Sequence, residues 1–126
     1  MDLFLFAQLN TRGETQEIKL EDDRITIGRD PKNKIHVNET YISSRHAIIY
    51  RRKSGEFYIV DHDSRNGTFV NDVRLSGDEN QTIKAGDIIK LGYLKLTVAE
   101  KGVRKGIEVV PLRDRKKVKG RNFSTA

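Results

Sequence analysis

The chain has no cysteine and no tryptophan, and only two prolines and one methionine. Without cysteine there is no disulfide, no thiolate metal ligand and no cysteine nucleophile. No apolar run approaches the roughly 20 residues that a membrane-spanning helix needs. The opening MDLFLFAQLN is too short and too acidic for a secretory signal. Together these absences point to the cytoplasm. The nucleotide cradles GxxxxGK[ST] and GxGxxG are also missing. His36, His46 and His62 have neither HExxH spacing nor a cysteine partner, which argues against zinc. The run Asp61-His62-Asp63-Ser64-Arg65-Asn66-Gly67 glances at a calcium loop, but Arg65 fills the third ligand position and the glycine falls one residue late. Ser43 and His46 would point apart on an extended chain, and no carboxylate is evident to orient the histidine. No metal, no cofactor and no catalytic residue is expected, and the chain does not read as an enzyme.

What is present is charge, unevenly placed. Of 126 residues 33% are charged and 36% hydrophobic, and the formal net charge is +6. Residues 1–100 carry 15 Lys and Arg against 16 Asp and Glu; residues 101–126 carry 9 against 2. The body is therefore near neutral, and the basicity belongs to the tail. Composition changes at the same boundary, so a folded unit over 1–100 and a flexible basic tail or linker over 101–126 are expected. Only 107–112 in the tail has an extended, apolar character.

Within the body, apolar residues alternate with polar ones in short runs. Leu3, Leu5, Ala7 and Leu9 share a face, and Phe4 and Phe6 make the opposite face apolar as well. Ile18 with Leu20, and Ile25 with Ile27, alternate with polar neighbours. Further strands are predicted over 47–51, 57–61, 68–70, 87–91 and 94–99. Turn signals separate them at 30–33, 54–55, 66–67, 76–78 and 85–87. No window of about ten residues carries a capped 3.6-residue apolar period. The expected fold is all-β, a β-sandwich of two antiparallel sheets.

Three motifs stand at predicted strand ends: Ile27-Gly28-Arg29-Asp30, then Ile42-Ser43-Ser44-Arg45-His46-Ala47, then Asp63-Ser64-Arg65-Asn66-Gly67-Thr68-Phe69-Val70-Asn71. A fourth segment, Ile83-Lys84-Ala85-Gly86-Asp87-Ile88-Ile89-Lys90-Leu91-Gly92, follows. Each alone is common. A planar guanidinium, a hydroxyl and an amide on strand-end loops nevertheless form a donor set suited to a phosphate, which offers three acceptor oxygens and about −1.5 to −2 charges. In this order, over residues 3–99, the motifs resemble the forkhead-associated (FHA) domain, a reader of phosphothreonine peptides. The resemblance implies that Arg29 and Ser43 contact the phosphate. Ser44 takes the adjoining position, where relatives often carry Arg or Asn. Asn66, with Arg65 beside it, would face the peptide, while Gly28, His46, Gly67 and Asn71 would brace the loops. Arg45 would add positive potential. The implied partner is a threonine-phosphorylated protein downstream of a Ser/Thr kinase.

Two other readings stay open on the residues. Ser44, a departure from the family pattern, leaves room for a phospho-independent interaction scaffold. The basic tail leaves room for nucleic acid or an anionic membrane surface, although Phe123 is its only aromatic residue. Residues alone do not fix the oligomeric state.

Overall fold

The alternating runs become eleven strands in the computed structural model, which describes residues 2–8 and 15–100. Leu9 and the tail 101–126, with its extended 107–112 piece, lie outside the described residues. The strands are β1 (Leu3–Gln8), β2 (Thr15–Lys19), β3 (Arg24–Gly28), β4 (Ile35–His36), β5 (Ala47–Arg51), β6 (Phe57–Asp61), β7 (Thr68–Val70), β8 (Val73–Arg74), β9 (Asn80–Ile83), β10 (Ile88–Leu91) and β11 (Leu94–Glu100). They form a six-stranded sheet in the order β2-β1-β11-β10-β7-β8 and a five-stranded sheet in the order β4-β3-β5-β6-β9. The expected sandwich is present. Every pairing is antiparallel except the short β3–β4 pair.

The period of two sends alternate side chains inward. Ile25, Ile27, Ala47, Ile49, Phe57 and Ile59 from one sheet face Leu5, Ala7, Ile89, Leu91, Leu96 and Val98 from the other, all buried. Register keeps these rows aligned: Ile49 lies opposite both Ile25 and Ile59, and Leu5 opposite Val98. Slipping one residue would turn each row to solvent, so burial and register enforce each other.

Three strands escape the alternation pattern. β4 and β8 are two residues each, and β9 is Asn80-Gln81-Thr82-Ile83, a mostly exposed edge strand. Edge strands need little apolar content because one side faces water.

The topology decides where the loops gather. The β3–β4, β4–β5 and β6–β7 connections share one end with the β10–β11 turn. Gly92 N–H, in that turn, donates to the Gly67 carbonyl at 3.3 Å. Leu3 pairs with Glu100 at the other end, about 20 Å along β11 from the loops. The chain therefore passes into its basic segment from the end opposite the loop cluster. No helix among the described residues is long and apolar enough to cross a membrane.

Candidate functional site

Arg29 follows directly on β3. Its N–H donates to the Ser43 carbonyl at 3.0 Å, and Asp30 N–H donates to the Ser44 carbonyl at 3.2 Å. These bonds hold the two motifs side by side beyond the regular sheet. The expected turn over 30–33 is closed by Asn33 N–H on the Asp30 carbonyl at 3.0 Å, with the Asp30 carboxylate accepting Lys32 N–H. Buried Asn33 ties the turn down, donating from Nδ2 to the Ser44 and Asp30 carbonyls at 2.6 and 2.8 Å.

Gly28 sits beneath this junction, against the Ser44 carbonyl. Its φ lies outside the left-handed region, so conformational freedom is not what the position requires. Space is. A Cβ there would overlap the Ser44 carbonyl oxygen and come within 2.7 Å of Asn33 Nδ2. Gly28→Ala must push the Ser44 backbone away, and overpacking of this kind costs about 1–3 kcal/mol. Gly28→Ala is expected to lower the urea midpoint accordingly, with an unchanged slope.

Ser43 connects the second motif to the third. Its Oγ accepts Arg65 N–H at 3.1 Å, and its own proton has no acceptor among the described residues. The hydroxyl is thus fixed in place with its donor unspent. The Asn66 carboxamide donates through Nδ2 to the Tyr41 carbonyl at 2.8 Å, joining the same two loops again. Ser44, Arg45, Arg65 and Asn66 are exposed, and Arg29 is half-buried.

His46 is fully buried between these loops. Ser43 N–H, which can only donate, lies 3.1 Å from Nδ1, and Nε2 lies 2.9 Å from the Gly67 carbonyl, which can only accept. The ring is therefore neutral, with its proton on Nε2. Both nitrogens are committed to backbone, and neither reaches the Ser43 hydroxyl. A nucleophile–base pair is not formed.

Burial pushes the His46 pKa below its ordinary value, outweighing the Gly67 carbonyl bond and nearby Asp61, which act in the opposite direction. A folded-state pKa below the unfolded one means that the unfolded chain takes up protons first as pH falls. The stabilisation from neutral His46 is complete above about 6.5 and is lost as pH drops through the folded value. Burial also raises the Asp87 pKa, but hydrogen bonds from Asn71 and Lys84, with the Lys84 charge, hold it below the usual carboxylate range. Its contribution disappears only in stronger acid. Melting temperature should fall between pH 7.5 and 5 in the native chain, and fall less in His46→Gln.

The loop carrying Arg65 and Asn66 is built on a network that the sequence reading missed. Asp61 accepts from Ser64 N–H at 3.0 Å, from the Ser64 hydroxyl and from the buried Thr68 hydroxyl at 2.7 Å. Ser64 Oγ in turn accepts Gly67 N–H at 3.0 Å. The Asp-x-x-Ser spacing was the available signal. Asn66-Gly67 is not a hairpin, because β6 and β7 belong to different sheets and the segment crosses between them. Gly67 has φ +92°, and a Cβ there would meet Arg74 Nε at 2.8 Å. Arg74, also missed, thus lies against the same loop, with its guanidinium 5.9 Å from the Phe69 ring centroid.

Asn71 lies apart from the others, about 13 Å along β7. Its backbone N–H, Nδ2 and Oδ1 bond Ile88 and Asp87, so it braces the β7–β8 turn against β10.

Among the described residues, five cations elsewhere are neutralised in ion pairs: Lys19–Asp2, Lys34–Asp22, Arg51–Asp23, Lys84–Asp87 and Lys90–Asp72. The guanidinium groups of Arg29, Arg45 and Arg65 have no ion-pair or hydrogen-bond partner among the described residues. No three His, Cys, Asp or Glu side chains there converge as a metal requires. Arginines without a described partner, on loops joined through Ser43, are a donor set suited to an anion.

A family model for the FHA domain matches residues 25–92, just over half of the chain. The oxoglutarate dehydrogenase inhibitor of Corynebacterium diphtheriae is 33% identical over 81 residues, covering 64% of this chain and 54% of that protein. The chain therefore spans about half the length of that relative. An FHA domain of an Arabidopsis thaliana hypothetical protein superposes with a TM-score of 0.67 at 30% identity, covering 78% of this chain and 84% of that one. Another, solved in a study of phosphothreonine-dependent FHA domain interactions, gives a TM-score of 0.66 at 25% identity over 79% and 97% of the two chains.

Proposed function

Because the chain belongs to the FHA domain family, we propose that it is a non-catalytic module that binds threonine-phosphorylated segments of proteins downstream of a Ser/Thr kinase. One observation carries this reading: Arg29, whose guanidinium has no partner among the described residues, is tied through its backbone N–H to Ser43, whose hydroxyl accepts Arg65 N–H and keeps its own proton to donate. Arg29 supplies a planar fork matched to phosphate oxygens, and Ser43 donates the proton that it retains. Charge-assisted bonds contribute about 1.5–3 kcal/mol each, so two or three support a micromolar complex.

Ser44 and Arg65 stand at the rim, Ser44 as a further hydroxyl and Arg65 as positive charge. Asn66 contacts the peptide backbone through the part of its carboxamide not engaged with Tyr41. Gly28, His46 and Gly67 hold the loops in register. Such a reader works where kinases do, in the cytoplasm.

The test is a phosphothreonine peptide library with Arg29→Ala as control. Selected peptides should bind the native chain, lose binding on dephosphorylation and fail to bind the variant. Equal retention of phosphorylated and unphosphorylated peptides would overturn the reading.

A further inference from the structure

Asn66-Gly67 is the one Asn-Gly pair in the sequence. In an unconstrained chain such a pair modifies itself, because glycine has no side chain to obstruct its own nitrogen. The Gly67 nitrogen gives up its proton and attacks Asn66 Cγ. The Cγ–Nδ2 bond then breaks, and the amide leaves as ammonia carrying a proton in return. Water opens the resulting cyclic imide at either carbonyl, giving aspartate or isoaspartate at position 66. Water is the only co-reactant, and Asn66 is exposed to it.

The fold ties down both reacting groups. Gly67 N–H, the nucleophile, donates to the buried Ser64 hydroxyl at 3.0 Å, and Ser64 is itself held by Asp61. The Gly67 carbonyl accepts from His46 Nε2 at 2.9 Å and from Gly92 N–H at 3.3 Å, so the residue is pinned on both sides. The electrophile is tied as well, since Asn66 Nδ2 donates to the Tyr41 carbonyl at 2.8 Å. Cyclisation has to break the Ser64 and Tyr41 bonds and bring the carboxamide back onto Gly67. It therefore needs the loop to open first.

We infer that Asn66-Gly67 is a latent self-modification site, held unreactive by Ser64 and Tyr41, and that its deamidation switches the binding site off. The second half rests on the proposed phosphothreonine binding; the first does not. A carboxylate at position 66 places negative charge where a phosphate is received, and like charges repel. It also has no proton to give the Tyr41 carbonyl, so two acceptors face each other and one tie between the loops is lost. Isoaspartate does more, because it brings the Asn66 Cβ into the main chain. The backbone leading to clamped Gly67 is then one atom longer.

The experiment incubates the full chain beside a synthetic peptide of residues 62–71 in mildly alkaline buffer. Deamidation at position 66 is followed by tandem mass mapping and by isoaspartate methyltransferase labelling. The native chain should react more than about tenfold more slowly than the peptide. Ser64→Ala, kept below its melting transition, should react about tenfold faster than the native chain, as loss of one hydrogen bond to a buried donor implies. Asn66→Asp, folded by thermal melt, should bind phosphothreonine peptides at least about tenfold more weakly than the native chain.

A native chain that deamidates as fast as the peptide overturns the latent site, as does a folded Ser64→Ala no faster than the native chain. The ratio of native chain to peptide decides this half even where Ser64→Ala does not fold. Native affinity in Asn66→Asp overturns the switch and leaves phosphate binding standing. A native chain indifferent to the phosphate removes the proposed binding and the switch with it, while the two rates still decide the latent site.

Discussion

Arg29→Ala is expected to weaken binding of a phosphothreonine peptide by a hundredfold or more while leaving the fold intact. Two charge-assisted bonds from one guanidinium to one phosphate are worth about 3–4 kcal/mol together, and about 1.4 kcal/mol corresponds to tenfold. The side chain is half-buried and bonds no described residue, so its loss from the unbound protein costs less than about 0.5 kcal/mol. Arg29→Lys separates charge from geometry. An ammonium restores the attraction but not the planar fork, so it should recover only part of the affinity. Calorimetric titration beside a thermal melt checks both halves. An affinity loss matched by an equal loss of stability would assign Arg29 a structural role instead.

His46→Ala is expected to destabilise the fold by about 3 kcal/mol, the largest effect on stability of any single site residue. Truncation removes a fully buried ring and strands Ser43 N–H without its acceptor. A buried unsatisfied donor costs about 1–3 kcal/mol, and the lost packing adds to it. The Gly67 carbonyl keeps Gly92 N–H, so that end is only partly released. For a domain near 100 residues this corresponds to a drop of more than about 10 °C in melting temperature. Peptide affinity should fall too, because Ser43 and the loop through Gly67 lose their shared support. The check is urea denaturation, followed by titration at a temperature where the variant is still folded. Unchanged stability would mean that the ring does not hold the loops together.

Much of this architecture was legible because alternation and turn chemistry agree. Strands β5, β6 and β7 fall where the alternation of apolar residues puts them, and the 30–33 turn closes on the Asp-Pro-Lys-Asn signal. β9 was not legible, since an exposed edge carries no apolar period and Asn80-Gln81-Thr82 resembles a loop. Nor was the crossing between β6 and β7, because Asn66-Gly67 has the composition of a hairpin whichever sheet the next strand joins. The positions of Arg29, Ser43 and Asn66 came from motif order, not from any local property of those residues. What order could not supply is the wiring. Gly28 is required by a carbonyl 16 residues away, Ser43 is fixed by Arg65, and Tyr41 accepts from Asn66 only once two distant loops meet. Asp61 and Ser64 lay in a run that looked like a poor calcium loop, and with Thr68 they prove to be a hydrogen-bonded clasp under Arg65 and Asn66.

The central claim is that a single phosphate on threonine is held at the junction of the Arg29 and Ser43 loops. It is tested most directly by titrating the isotope-labelled protein with a phosphothreonine peptide and its unphosphorylated twin while following backbone amide resonances. The phosphopeptide should shift Arg29, Ser43, Ser44, Arg65 and Asn66 together at one affinity, leave the opposite end near Phe57 and Ile83 still, and lose its effect on phosphatase treatment. Shifts centred elsewhere on the sandwich, or equal shifts from the unphosphorylated twin, would contradict it.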